Sequence, residues 1–345
     1  MAKTIVAEAL EKKKDHIIDK TFILDTKGTT VSDTYKKHYM DDIETTIRQL
    51  RISFLYDNAN LFNHYMDWFG ELSQNLNISK KGMLNHLDHL NETIQRHLSD
   101  ETDREAVSER IKKGKEHFIT GINRKIVDPS DNPFLDFLID MRTQDATEFI
   151  MEKAKNDTPV MTLFEEHLIP TLRDVGLLWQ HHEISVAKEH YATAVIQNII
   201  GMLYPYLFTE NKDARLSLLA VCAGKELHEI GMRIIADVFE MEGFDTTFLG
   251  SNIPVNVILG EMKENTPSLL AISSTTTASL EDTKKLIDAV RNNDSFNQTK
   301  IMVGGYQFSQ AKDLWKQVGA DFTASSAKTA LKKAKDILEM KNHDA

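Results

Sequence analysis

The sequence predicts an α plus α/β chain: all-helical in its first two regions, then a doubly wound parallel sheet of five strands. Two observations predict it. Apolar residues recur at helical spacing as far as about residue 210, and beyond residue 214 short strand-like runs alternate with amphipathic helical patterns. A length of 345 residues accommodates two or three domains, and 41% hydrophobic content supplies a core for each.

Residues 1–126 read as a domain of about five helices. One stripe carries Ile43, Ile47, Leu50, Phe54, Phe62, Tyr65, Trp68 and Phe69; a second carries Met83, Leu84, Leu87, Leu90, Ile94 and Leu98, with Ser79 as its N-cap. The run "VDPSDNPF" at 127–134 holds two prolines and marks a boundary. Residues 135–210 fit a four-helix bundle, with helix starts near Asp145, Asp157 or Thr158, and Ser185; Pro170 kinks a helix or sits in its first turn. Residues 214–345 give the strands "LSLLAVC" (216–222), "FDTTFLG" (244–250), "SLLAISS" (268–274), "KIMVGG" (300–305) and a weaker "DFTAS" (321–325).

Composition excludes several functions. A net charge of -11 with no basic stripe argues against a nucleic-acid partner; "KKGKEH" at 112–117 is a solvated helix face. Cys222 is the only cysteine, so there is no disulfide framework and no thiolate zinc cluster, as expected of a reducing cytoplasm. No signal-peptide core and no run of 18 apolar residues is present, which predicts a soluble protein without a membrane span.

The chemistry gathers at strand ends, where parallel sheets of this kind take ligands. After the first strand comes Glu226-x-His228-x-x-Gly231. A carboxylate two residues before a histidine can bond one ring nitrogen and set the tautomer of the other, and Gly231 leaves room for a large group. Alone, His-x-x-Gly is an ordinary helix-start pattern. Ser273, Ser274 and Thr275 at the third strand end and Gly304-Gly305 at the fourth add a slot of small residues to the same crevice. Upstream, "LLWQHHEISVAKEH" (177–190) sets Trp179, Glu189 and His190 close together on a helical hairpin. On an apolar helix such an indole can equally be core, and the other two can be surface residues.

In order and spacing, Glu226-x-His228-x-x-Gly231, the Ser273/Ser274/Thr275 cluster and Gly304-Gly305 resemble the signature of cobalamin-binding Rossmann-like domains, over about residues 138–340. The family's usual aspartate is Glu226 here. The resemblance implies that His228 ligates cobalt from the lower face, that the displaced nucleotide tail enters the slot by the serines and glycines, and that the bundle caps the upper face. The Trp-x9-Glu-His spacing is similar to the cap of light-sensing cobalamin proteins of the CarH/LitR type, which implies adenosylcobalamin beneath Trp179, Glu189 and His190. Where those proteins often carry a histidine after the tryptophan this chain has Gln180, with His181 and His182 next, so the ligand taken after photolysis is open.

The first 126 residues lack a DNA-reading segment and resemble a globin-like sensor domain of the RsbR N-terminal kind. The whole arrangement is similar to the photocobilins, which implies biliverdin alongside adenosylcobalamin. With Cys222 in the last domain, the bilin would bind noncovalently; Arg48, Arg51, His64, Tyr65 and Trp68 are residues of the right kind, although Tyr65 and Trp68 also fit a helical core. Haem is the rival ligand, on His64, His86 or His89. The expected function is therefore a non-enzymatic photoreceptor, with light-dependent self-association and an unknown partner protein. The alternatives are a corrinoid methyl carrier of a methyltransferase system, or a cobalamin and haem redox sensor.

Overall fold

The computed structural model describes residues 2–76, 78–123, 132–207, 216–222, 224–311 and 313–339, and divides into two units, Met1–Ile126 and Val127–Ala345. Residues 127–131 of the proline-containing boundary lie outside the described residues, as do 208–215.

The first unit holds six helices where the sequence suggests about five: α1 (Ala2–Lys12), α2 (Lys14–Asp25), α3 (Asp33–Leu55), α4 (Ala59–Asn75), α5 (Lys80–Gln95) and α6 (Glu101–Ile122). The extra one arises because the chain leaves helical geometry at Lys13, dividing an otherwise continuous apolar pattern. Ser79 caps α5 as expected, its hydroxyl accepting the Gly82 N–H at 3.1 Å. Ile43, Ile47, Leu50, Phe54, Phe62, Leu87, Leu90, Ile94 and Phe118 share one core. Helices α4 and α6 approach until side chains no longer fit between them. A Cβ on Gly121 would stand 2.1 Å from the Asp67 carbonyl oxygen, and one on Gly70 2.3 Å from that of Phe118. Gly121→Ala should force the pair apart and cost about 2 kcal/mol, read by chemical denaturation.

The second unit begins with α7 (Pro133–Ile139), α8 (Thr143–Lys155) and α9 (Val160–Leu163). A π-helical turn at Phe164–Leu168 joins α9 to α10 (Ile169–Gln180), and α11 (Val186–Leu203) closes the bundle. Pro170 lies in the first turn of α10. It cannot donate to the ladder and its ring crowds the carbonyl four residues back; the wide turn before it relieves both. Asp145 falls in the first turn of α8, and α9 starts two residues beyond Thr158. Ser185 caps α11 through the Lys188 N–H.

Five parallel strands follow: β1 (Ser217–Cys222), β2 (Asp245–Gly250), β3 (Leu269–Ser273), β4 (Lys300–Gly304) and β5 (Phe322–Thr323), in the order β2-β1-β3-β4-β5. Their connections are α12 (Ile230–Met241), α13 (Val255–Glu264), α14 (Thr277–Arg291), α15 (Tyr306–Gln310) and α16 (Leu314–Val318), with α17 (Ala327–Glu339) last. Helix α12 packs against α17 and α13 against α14, so both faces of the sheet are covered. The fold is a helical bundle joined to a Rossmann-like five-stranded parallel sheet. Helix α12 belongs to both cores: Ile234 and Val238 enter the bundle's cluster, Met232, Ala236 and Phe239 the sheet's.

Candidate corrinoid site

The strand order reverses between β1 and β3, which opens a crevice beyond their carboxyl ends. Register aligns the three strand ends in one rank, Cys222 beside Ser273 and Ser273 beside Gly304. The residues singled out in the sequence therefore emerge side by side.

Glu226 is the hub. It is fully buried, and each of its carboxylate oxygens is engaged. Oε1 accepts the backbone N–H of Leu227 (3.1 Å) and of His228 (3.0 Å), and meets the Nδ1 of His228 at 2.5 Å. Oε2 accepts the N–H of Thr275 (2.8 Å), the N–H of Thr276 (2.9 Å) and the hydroxyl of Ser279 (3.0 Å). Burial alone would raise the carboxyl pKa, but the bonds from His228 and from these backbone N–H groups hold it well below the usual carboxylate range. With the proton on Nδ1, donated to Glu226, the Nε2 of His228 is left able to act as a ligand. The imidazole is 64% exposed. Its pKa is raised chiefly by the bond to Glu226, against burial, with the charges of Glu226 and Glu189 adding.

Ser279 was absent from the residues drawn from the sequence, as was Thr276. The signal was the length of the hydroxyl run "SSTTTAS", which extends past the strand end into the first turn of α14. Ser274 plays a different part from the one expected. It is completely buried, its hydroxyl lies 2.6 Å from that of Ser279, and its N–H donates to the Gly304 carbonyl at 2.9 Å. Ser273 is buried too, while Thr275 is half-buried. Space for a large group comes from the glycines: a Cβ on Gly231 or Gly304 would meet nothing within 4 Å. Gly305 turns the chain in the left-handed region, at φ 97°.

Upstream in the bundle, Glu189 lies in the first turn of α11, its oxygens held by Thr193 at 3.0 Å and by the Nδ1 of His190. Its charge is the smallest of those that raise the His228 pKa. Trp179, near the end of α10, is 37% exposed and so stands outside the bundle core that takes its neighbours Val175 and Leu178. Cys222 is buried beneath the loop, 3.8 Å from the His228 carbonyl oxygen; burial, then Glu226 and Glu229, push its thiol up to about 12.

The N-terminal candidates find partners within their own unit. Arg48 meets Glu44 at 3.2 Å and Arg51 meets Glu11 at 2.9 Å. The Tyr65 hydroxyl lies 3.3 Å from that of Thr46, and its ring stacks on Phe69. His86 and His89 both bond Asp25 through Nδ1 at 2.7 Å. His64 stands 4.0 Å from Asp67, and Trp68 is partly exposed.

Two B12 binding domain models match the chain. One covers residues 216–334 and the other residues 131–204, both within the second unit. Together they indicate a corrinoid cofactor, and the donor set fits one: a largely exposed imidazole held through Nδ1 by a buried carboxylate, with open space at Gly231 and Gly304. Similar curated proteins include the dimethylamine corrinoid protein of Methanosarcina barkeri, 23% identical over 56% of this chain and 91% of that protein. The trimethylamine corrinoid protein of the same organism is 26% identical over 52% of this chain and 82% of its own length. Among solved structures, the monomethylamine corrinoid protein of Methanosarcina barkeri superposes with a TM-score of 0.54 at 23% identity, covering 60% of this chain and 97% of that one.

These relatives overturn the light-sensing reading, both the CarH/LitR-type resemblance and the photocobilin one. The physical reason is that the strand-end motifs specify a platform for the corrinoid, not the chemistry above it. Trp-x9-Glu-His is one turn of helical hairpin, a spacing that a cap can carry whatever upper ligand it covers. Adenosylcobalamin as the particular form, biliverdin in the first unit and light-dependent assembly find no support in the comparisons. No helix among the described residues is long and apolar enough to cross a membrane.

Proposed function

We propose that this chain is a corrinoid methyl carrier of a methyltransferase system, the alternative that the sequence left open. What supports it most is the extent of the likeness to amine corrinoid proteins, which takes in 91% of the dimethylamine protein. A bound corrinoid would supply a cobalt centre able to accept a methyl group and give it up. The residues of the chain hold and tune that centre. His228 would ligate from below through Nε2. Glu226 keeps the proton on Nδ1 and makes Nε2 a stronger donor, and Ser279 with the Thr275 and Thr276 N–H groups keeps Glu226 charged. Gly231 and Gly304 would leave space for the tail, and Gly305 makes the turn beside them. Trp179, Glu189 and His190 would cover the corrinoid on the side away from His228. The chain carries the group, and the chemistry of transfer belongs to partner methyltransferases acting on methylated amines.

The test is reconstitution with hydroxocobalamin under reducing conditions, followed by a methylamine and its methyltransferase. The expected result is stoichiometric binding and the absorption of methyl-cobalt on the protein. Full corrinoid binding with no methylation by the mono-, di- or trimethylamine enzymes would reject the carrier reading. His228→Ala should shift the bound corrinoid's spectrum to that of a form lacking the lower imidazole and weaken retention on the order of 10- to 100-fold; an unchanged spectrum would reject the ligand assignment.

A further inference from the structure

Helix α12 begins two residues after His228 and is shared by the bundle and the sheet. In its middle stands Asp237, 2% exposed. Its Oδ1 accepts Nε of Arg233 at 2.9 Å; its Oδ2 is buried with no hydrogen-bond partner among the described residues. The Arg233 guanidinium lies 5.8 Å from the ring centroid of Tyr204, at the end of the bundle, and 5.8 Å from that of Phe248 in β2. The Tyr204 hydroxyl donates to Glu240, one turn along α12, at 3.0 Å. On the α17 side, Lys335 is paired with Glu242 at 2.9 Å. Among the described residues Arg233 is the cation paired with Asp237, and the charge of Glu240 acts against an ionised Asp237.

We propose that Asp237 is a protonation-controlled latch, whose neutral carboxyl keeps α12 seated in the bundle and whose ionised form loosens that seam. The neutral form needs no partner for a second charged oxygen, whereas the carboxylate leaves Oδ2 charged and unpaired beside apolar residues. Burial pushes the Asp237 carboxyl up to about 6, opposed by Arg233 and assisted by Glu240, so the change falls where small shifts in pH act. The sign follows. The folded value lies above the unfolded one, so the seam is tightest in acid and weakens as pH rises through about 6. The latch rests on the packing of bundle against sheet and holds whatever group the site carries.

Amide hydrogen exchange of the full chain, corrected for intrinsic rates, reads the seam directly in peptides from α12 and the end of α11. Opening should be on the order of tenfold more frequent at pH about 7.5 than at about 5, the factor for the roughly one pH unit between 5 and the folded value of about 6. Asp237→Asn, neutral throughout and still able to accept from Arg233, should abolish that difference. Equal opening at both pH values in the natural chain, or the same acceleration in the variant, would overturn the latch. If the variant fails to fold, carboxyl 13C titration of the natural chain decides: a midpoint near 6 supports the latch, and an ordinary one of about 4 overturns it.

Discussion

Glu226→Ala is expected to release His228 from its fixed tautomer and to destabilise the sheet domain by roughly 3 kcal/mol. The figure comes from Oε2 alone: the bonds from the Thr275 and Thr276 N–H groups and from the Ser279 hydroxyl are lost, at about 1 kcal/mol each. Loss of the Oε1 contacts falls mainly on function, because His228 is exposed and can turn to water. The variant should therefore combine lowered thermal stability with the same loss of the lower-ligand spectrum as His228→Ala, while His228→Ala alone leaves stability nearly unchanged. Glu226→Gln isolates the charge. The folded-state carboxyl is held below its ordinary value of 4.5, so its contribution is present above that pH and is lost as pH falls below it. The melting temperature of the natural chain should drop in that acid range, and that of Glu226→Gln should be flatter. Parallel acid profiles for the two proteins would show that the carboxylate is not the clasp between the β1 and β3 loops.

What could be seen beforehand follows from which interactions are local. The inner strands β1, β3 and β4 could be read from apolar runs, because strands covered on both faces are almost wholly apolar and the run length is close to the strand length; the edge strands β2, half-exposed, and β5, only two residues long, carry a weaker pattern. Glu226, His228 and the glycine pair were visible because side-chain type and strand end coincide in the sequence. Ser279 was not, because its role depends on α14 bringing it within reach of a carboxylate 53 positions earlier. The break at Lys13 left no mark either, since neither proline nor glycine produces it. The largest error lay in function. The cap residues were read from a spacing that helical geometry supplies freely, and no residue type in the hairpin distinguishes an adenosyl group from a methyl group.

The glycine pair gives the last and sharpest expectation, because one sequence motif contains two unrelated constraints. At Gly305 the backbone stands at φ 97°, a conformation L side chains rarely adopt, and a Cβ there would lie 2.5 Å from the Ser274 carbonyl oxygen and 2.9 Å from its nitrogen. Both obstacles are backbone atoms of the neighbouring strand end, which cannot swing aside. Gly305→Ala should therefore cost on the order of 3 kcal/mol, strain and overpacking together, and should lower the melting temperature with or without corrinoid. Gly304 lacks both constraints: its φ is not positive, and a Cβ would meet nothing within 4 Å. Gly304→Ala should melt within about 0.5 kcal/mol of the natural chain, yet lose affinity for cobalamin, because the methyl group occupies space that the tail needs. Measured side by side, thermal denaturation singles out Gly305→Ala and cobalamin titration singles out Gly304→Ala. A Gly304→Ala protein that binds cobalamin as tightly as the natural chain would remove Gly304 from the slot and leave Gly231 as the glycine that gives the corrinoid room.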